Sequence, residues 1–256
     1  MAEAKRVVIV TGGSSGIGAA SARELARRGW RVVVNYSKSA GDANKVVEQC
    51  NSAGGDAIAV QADVSQDAEC RRLAAAALEK WGRLDALVNN AGTTKFVAHA
   101  KLEELSEDDF LRIYRLNVIG PFQMTRACAQ ALKAARGAVV NVSSLAALLG
   151  TGSSIAYAAS KGALNTLTYS LARVLAPEVR VNAVCPGFVD TPWMVSGYGA
   201  ERYAELSKRY AANAPLGTTC KPEDIAETIA WLIEGAGKVT GEAIFVDAGM
   251  HVATPR

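Results

Sequence analysis

Val7-Val8-Ile9-Val10-Thr11-Gly12-Gly13-Ser14-Ser15-Gly16-Ile17-Gly18 is the stretch on which the fold turns. Its consecutive β-branched residues make a strand that is apolar on both faces. Such a strand belongs inside a parallel sheet covered by helices. The glycines at 12, 16 and 18 let the chain turn tightly and allow a ligand to approach the backbone. An apolar periodicity over residues 17–28 opens a helix directly behind them. The N-terminus of that helix presents free N–H groups and the positive end of a dipole, so the stretch reads as a pyrophosphate cradle between a first strand and a first helix. The spacing is G-x-x-x-G-x-G and no Gly-Lys-Ser/Thr follows, which disfavours a P-loop and ATP hydrolysis.

The same alternation continues outward from this stretch. Strands are expected over residues 6–11, 31–36, 57–61, 84–89, 138–142, 180–184 and 243–246. Helices are expected over 17–28, 43–51, 67–80, 107–135, 155–176 and 223–233. Strand–helix alternation with right-handed crossovers predicts an α/β fold, a Rossmann-like doubly wound sheet of about seven parallel strands with helices on both faces. No repeat, linker or composition break divides the chain, so residues 1–256 read as a single dinucleotide-binding domain. Residues 188–215 break the rhythm and carry Trp193, Met194, Tyr198 and Tyr203, as a substrate-binding loop or lid would.

Composition narrows the function classes. The 256 residues are 50% hydrophobic and 21% charged, enough for a sizeable core. A net charge of +3, with Lys and Arg scattered over helix faces, argues against a nucleic-acid partner. Five cysteines without C-x-x-C spacing argue against a disulfide framework or zinc site and fit a reducing cytosol. The two histidines, His99 and His251, are far apart, and no ligand set for a metal is evident. The apolar run at 7–10 is too short for a signal-peptide core or membrane span, so a soluble cytoplasmic protein is expected, with no membrane partner.

The end of the second strand should meet the adenosine ribose of a dinucleotide. NAD-specific sites place a carboxylate there. This chain has Asn35-Tyr36-Ser37-Lys38, with no carboxylate. Lys38 and the Ser37 hydroxyl are suited to a 2′-phosphate, unless Lys38 is simply a solvated loop charge. NADP(H) is therefore favoured, with NAD(H) the alternative.

Tyr157 and Lys161 lie on one face of a helix, four residues apart. A free tyrosine, with a pKa near ~10, is a poor base at neutral pH. A neighbouring ammonium would lower that pKa, letting the tyrosine give a proton to a carbonyl oxygen or take one from an alcohol. Asn141-Val142-Ser143-Ser144, Asn89-Asn90-Ala91-Gly92 and Pro186-Gly187-Phe188-Val189-Asp190-Thr191 each follow an expected strand, at the sheet edge where such folds bind ligands. Asn117 lies in a long expected helix, where it would cost helix propensity.

With these motifs in order, residues 5–250 resemble the short-chain dehydrogenase/reductase family in its compact single-domain branch. The resemblance rests on T-G-x-x-x-G-I-G at 11–18, Asp63-Val64, N-N-A-G at 89–92, Asn117, Ser144, Y-x-x-x-K at 157–161 and P-G at 186–187. It implies a catalytic tetrad: Tyr157 as general acid/base, Lys161 lowering its pKa and binding the nicotinamide ribose, Ser144 polarising the carbonyl, and Asn117 holding a water in a proton relay. Ser143 competes with Ser144, and the family spacing to the tyrosine selects 144. The resemblance also places Asp63 and Val64 at the adenine, Asn90 at the adenosine ribose and Thr191 at the carboxamide; Asp63 also reads as a helix N-terminal turn residue. The candidate cofactor contacts are Gly12, Ser14, Ser15, Gly16, Ile17, Gly18, Tyr36, Ser37, Lys38, Asp63, Val64, Asn90, Ala91, Gly92, Tyr157, Lys161, Pro186, Gly187, Val189 and Thr191.

The expected activity is hydride transfer between the dinucleotide and a ketone/alcohol or aldehyde/alcohol pair. Thr93, Thr94, Phe96, Leu145, Ala146, Phe188, Trp193 and Met194 are expected to line a partly apolar substrate pocket. The alternative is a 3-oxoacyl-[acyl-carrier-protein] reductase. Lys133 and Arg136 would suit an acidic carrier, but Ala176-Pro177-Glu178 stands where a basic residue would help more. A nucleotide-sensing binding protein is the reading from a different class. Family precedent implies a homo-oligomer, commonly a tetramer, through the tyrosine-bearing helix and its neighbour.

Overall fold

In the computed structural model, which describes residues 5–253, the chain begins β1 (Val7–Val10), α1 (Gly16–Arg27), β2 (Arg31–Tyr36), α2 (Ala40–Ser52), β3 (Asp56–Gln61), α3 (Asp67–Trp81) and β4 (Ala86–Asn89). It continues α4 (Glu107–Tyr114), α5 (Gly120–Ala135), β5 (Ala138–Val142), α6 (Ala146–Leu149), α7 (Ile155–Leu175) and β6 (Arg180–Pro186). It closes with α8 (Pro192–Tyr198), α9 (Ala200–Asn213), α10 (Pro222–Glu234) and β7 (Ala243–Val246). Residues 1–4 and 254–256 of the expected domain lie outside the described residues.

Side chains explain the layering. Successive residues of a strand point to opposite faces. Val8 and Val10 belong to one apolar core, with residues of α1, α2 and α10; Val7 and Ile9 belong to a second, with residues of α3, α5 and α7. The strands pair in the order β3-β2-β1-β4-β5-β6-β7, every pair parallel. The expected α/β sheet with helices on both faces is therefore present. Strand order reverses between β1 and β4, and in such sheets the crevice beyond the C-terminal strand ends at that reversal is where ligands bind.

Two expectations change. The helix expected over 107–135 is split: α4 and α5 are joined by a π-helical turn, Arg115–Ile119, that contains Asn117. Pro121 supplies the reason. It has no N–H to donate to the Asn117 carbonyl, and its ring crowds the carbonyl four residues back, so the turn widens. Gly120 N–H accordingly bonds the carbonyl of Arg115, five residues back. The second change concerns 188–215, which is not a loop throughout but carries α8 and α9.

Candidate active site

The cradle is built by the β1–α1 connection. Gly12 and Gly16 adopt left-handed backbone angles, φ +60° and +51°, which side-chain-bearing residues rarely tolerate. Asn35 holds the loop from β2. Its Oδ1 accepts from Gly12 N–H at 3.2 Å, its carbonyl accepts from Gly13 N–H at 2.8 Å, and its Nδ2 donates to the Ala62 carbonyl at 3.0 Å. Asn35 is buried. Sequence reasoning assigned it no role beyond not being a carboxylate, although a lone polar residue after Val32-Val33-Val34 was a signal. The Thr11 hydroxyl accepts from Asn90 and Ala91 N–H at 2.9 and 3.1 Å, tying the β4 end to the β1 end.

Ser15 caps α1 without a side-chain bond to the helix. The first-turn amides have no intrahelical acceptor. The cleft is lined here by Gly12, Ser14, Ser15, Gly16 and Ile17, so a pyrophosphate fits the donors the chain offers. Gly18 is the exception among the expected contacts. It does not line the cleft; a Cβ there would lie 2.5 Å from Asn90 Nδ2 and closer still to the Gly12 carbonyl oxygen. Its bareness lets α1 press against the loop.

At the end of the cleft expected to take the adenosine, the lining residues are Asn35, Tyr36, Ser37, Lys38, Ser39, Ala62, Asp63 and Val64. Gln61 Nε2 donates to the Ser37 carbonyl at 2.9 Å and steadies this turn. Asp63 serves the turn before α3, accepting from Ser65 N–H at 3.0 Å, and also faces the cleft.

At the other end, Ser154 caps α7 and accepts from Tyr157 N–H at 3.2 Å, which places Tyr157 in the first turn of that helix. Lys161 is buried, and its Nζ donates to the Val142 carbonyl at 2.7 Å. The ammonium stands over the Tyr157 ring, 5.6 Å from the centroid. Burial pushes the Tyr157 phenol up to about 12, only partly opposed by a hydrogen bond with Ser144. Burial also pulls Lys161 down to about 8. Desolvation of the phenol dominates here, while one of the three donors of the Lys161 ammonium goes to the Val142 carbonyl. Ser143 also lines the cleft, but its hydroxyl donates to the Lys161 carbonyl at 3.2 Å, whereas Ser144 is hydrogen-bonded with the phenol.

Asn117 is fully buried and does not line the cleft; its neighbour Leu116 does. Its Oδ1 accepts from Thr93 N–H at 2.8 Å, and its Nδ2 donates to the Thr93 carbonyl at 2.9 Å and Ser160 Oγ at 3.0 Å. The Ser160 hydroxyl in turn donates to the Tyr157 carbonyl at 2.7 Å. The side chain is therefore a clamp between the β4 loop and α7. Its carbonyl, facing Pro121 in sequence, is the atom deprived of an α-helical donor.

The remaining expected contacts Asn90, Ala91, Gly92, Pro186, Gly187, Val189 and Thr191 all line the cleft. The expected substrate wall is redistributed. Trp193 and Met194 line it. Phe188 instead stacks on Tyr203 of α9, 5.6 Å between centroids, and approaches Tyr210 at the same distance, so it packs against α9. Thr94 bonds Ser153 Oγ at 2.8 Å, Leu145 N–H bonds the Pro186 carbonyl, and Ala146 N–H bonds Ser144 Oγ. Phe96 backs Trp193 from behind. The five cysteines are free and buried, and no helix among the described residues is long and apolar enough to cross a membrane.

Comparisons with known proteins bear on this geometry. A family model described as enoyl-(acyl carrier protein) reductase matches residues 12–251. A ketoacyl reductase named for the granaticin polyketide synthase of Streptomyces violaceoruber is 43% identical over 247 residues, 96% of each chain. A 3-oxoacyl-[acyl-carrier-protein] reductase of Synechocystis is 37% identical over 249 residues, again 96% of each. A solved Burkholderia xenovorans structure, named as a short-chain dehydrogenase/reductase, superposes with a TM-score of 0.91 at 41% identity, covering 98% of this chain and 100% of that one.

Proposed function

The chain belongs to the short-chain dehydrogenase/reductase family of oxidoreductases, and from that premise we propose that it interconverts a ketone or aldehyde and the corresponding alcohol with NADP(H), using Tyr157 as general acid/base. The observation that carries the reading is one continuous cleft. The Gly12–Gly16 cradle lines one part of it, and Tyr157, Lys161 and Ser144 line another. A nicotinamide dinucleotide supplies or accepts the hydride when bound.

The chain's own residues divide the remaining work. Tyr157 is protonated at neutral pH, as any phenol is, and burial raises its pKa further, so it holds the proton that a reduced carbonyl needs. Ser144 orients that hydroxyl and is the second donor for the carbonyl oxygen. Lys161 spends one of its three donors on Val142, leaving two for the ribose and the phenol. Asn117 fixes the β4 loop against α7, and its carbonyl is the candidate for a relay water. Ser37 and Lys38 are the candidate 2′-phosphate contacts, which favours NADP(H) over NAD(H).

The second reading, a 3-oxoacyl-[acyl-carrier-protein] reductase, is favoured by the names of the Synechocystis and Streptomyces relatives. A carrier-bound acetoacetyl thioester reduced far better than the free thioester would establish it. The homotetramer is part of the proposal as well: Leu111, Ile119, Phe122, Tyr169 and Val174 leave exposed apolar surface on α4, the π turn, α5 and α7. So are a cytoplasmic location and a single domain whose lid is 188–215.

Tyr157→Phe tests the core of the reading. Turnover should fall by roughly 10²–10⁴-fold, the range for losing a positioned proton donor, while NADPH affinity stays within about threefold. Retained turnover would overturn the assignment, and a nucleotide sensor would keep its response.

A further inference from the structure

Resting on the carbonyl-reductase reading, we infer that the substrate carbonyl carries a flat, conjugated apolar group, aryl or enone-like, and that Trp193 selects for it by stacking. The indole lines the cleft beside the Tyr157 ring, with centroids 6.0 Å apart and the planes tilted by 47°. A carbonyl oxygen that meets the Tyr157 hydroxyl puts its attached group next to that indole, whose face favours a flat π-system over a puckered ring.

The indole is held in place from behind. Phe96 packs on it at 5.4 Å and meets Tyr198 of α8 edge-on at 4.7 Å. Gly197 permits this: a Cβ there would lie 2.5 Å from Phe96 Cε1 and closer to two other ring atoms, so the phenyl ring lies directly on the α8 backbone. The Phe96 loop is itself anchored. Lys95 Nζ bonds the Glu104 carbonyl at 2.7 Å and Asp109 at 2.8 Å, and Thr94 bonds Ser153. Trp193 is 42% exposed, so part of the indole stays open to a bound group.

Charge points the same way. Of the cleft-lining residues, Lys38 and Asp63 lie at the adenosine end and Lys161 is turned to Val142. The cations beside the substrate end, Lys95 and Arg112, are both drawn onto Asp109 of α4. Asp190 is occupied by the Tyr203 and Thr219 hydroxyls at 2.6 and 3.2 Å. Neither Lys95 nor Arg112 lines the cleft, so an uncharged flat ketone finds an aromatic face there rather than a paired charge.

The test compares acetophenone with cyclohexyl methyl ketone, of similar size but not flat, using NADPH and the wild type, Trp193→Ala and Trp193→Phe. The readout is the ratio of kcat/KM values and how it changes between proteins, which cancels the intrinsic reactivity of the two ketones. Ring pairing corresponds to roughly a three- to tenfold preference. The ratio should fall by about that factor in Trp193→Ala, chiefly through KM, and recover in Trp193→Phe. An unchanged ratio in Trp193→Ala, or no recovery in Trp193→Phe, overturns the inference. If neither ketone is turned over by the wild type, the reductase reading fails instead. Equilibrium binding of the two ketones to the NADP⁺-loaded wild type and Trp193→Ala then judges the inference by the same ratio, and equal binding overturns it.

Discussion

Gly18→Ala probes whether the cradle is held by close packing of α1 against the first loop. The added Cβ would stand 2.5 Å from Asn90 Nδ2 and 3.0 Å from the Gly12 carbonyl carbon. An ordinary contact is about 3.5 Å, so α1 must withdraw by about 1 Å or Asn90 must leave. If it leaves, the bonds from Asn90 Nδ2 to the Thr11 and Gly12 carbonyls, 2.9 and 3.0 Å, are lost. Overpacking costs about 1–3 kcal/mol and each of the two lost hydrogen bonds about 1 kcal/mol, for a total of roughly 3–5 kcal/mol. For a chain of this size that lowers Tm by roughly 6–20 °C. Because the displaced atoms belong to the cradle, NADPH affinity should weaken at least about tenfold. Gly237→Ala is the control: a Cβ there meets nothing within 4 Å, and its cost should stay within about 0.5 kcal/mol. Differential scanning calorimetry and fluorescence titration with NADPH read both effects. A Gly18→Ala protein that melts and binds like Gly237→Ala would refute the packing argument.

Other expected outcomes follow from the same geometry. Burial pulls Lys161 down to about 8, so its charge is lost as pH rises through that value, while the Tyr157 phenol stays protonated until about 12. Reductive kcat/KM should be level from pH 6 to about 7.5 and then fall by up to about tenfold per unit, whereas alcohol oxidation, which needs phenolate, should gain from rising pH. A reductive profile flat to pH 10 would contradict this role for the ammonium. Lys38→Ala should weaken NADPH at least about tenfold and leave NADH within about twofold, if the lysine meets a 2′-phosphate; equal losses would assign it to general electrostatics. Phe122→Glu, on the exposed face of α5, should shift the mass measured by light scattering from tetramer towards smaller species. An unchanged mass would move the interface elsewhere.

Much of the site was legible because its signals are local. The glycine spacing, the strand–helix alternation and the four-residue step from Tyr157 to Lys161 are short-range patterns, and each fell where the fold needed it. Of the expected catalytic and cofactor-binding residues, only Gly18 and Asn117 do not line the cleft. In both cases the residue type was read correctly as unusual, but its partner was distant in sequence: Asn90 for Gly18, Thr93 and Ser160 for Asn117. The π turn had a local sign in Pro121, but an apolar helical periodicity runs through it and masks the break.

By itself the sequence determined the parallel sheet, the order of its elements and the residue types gathered at its C-terminal edge, because backbone propensity, side-chain periodicity and glycine permissiveness act over a few residues. Only the tertiary structure decided which way each side chain was spent. Phe188 turned to α9 and Trp193 to the cleft, Ser143 to a backbone carbonyl and Ser144 to the phenol. It also set how deeply the Tyr157 phenol is buried, which pushes its pKa up. A pKa depends on burial and on the three-dimensional position of a charge, and a helical spacing shows that a lysine is near without showing that its ammonium points at Val142.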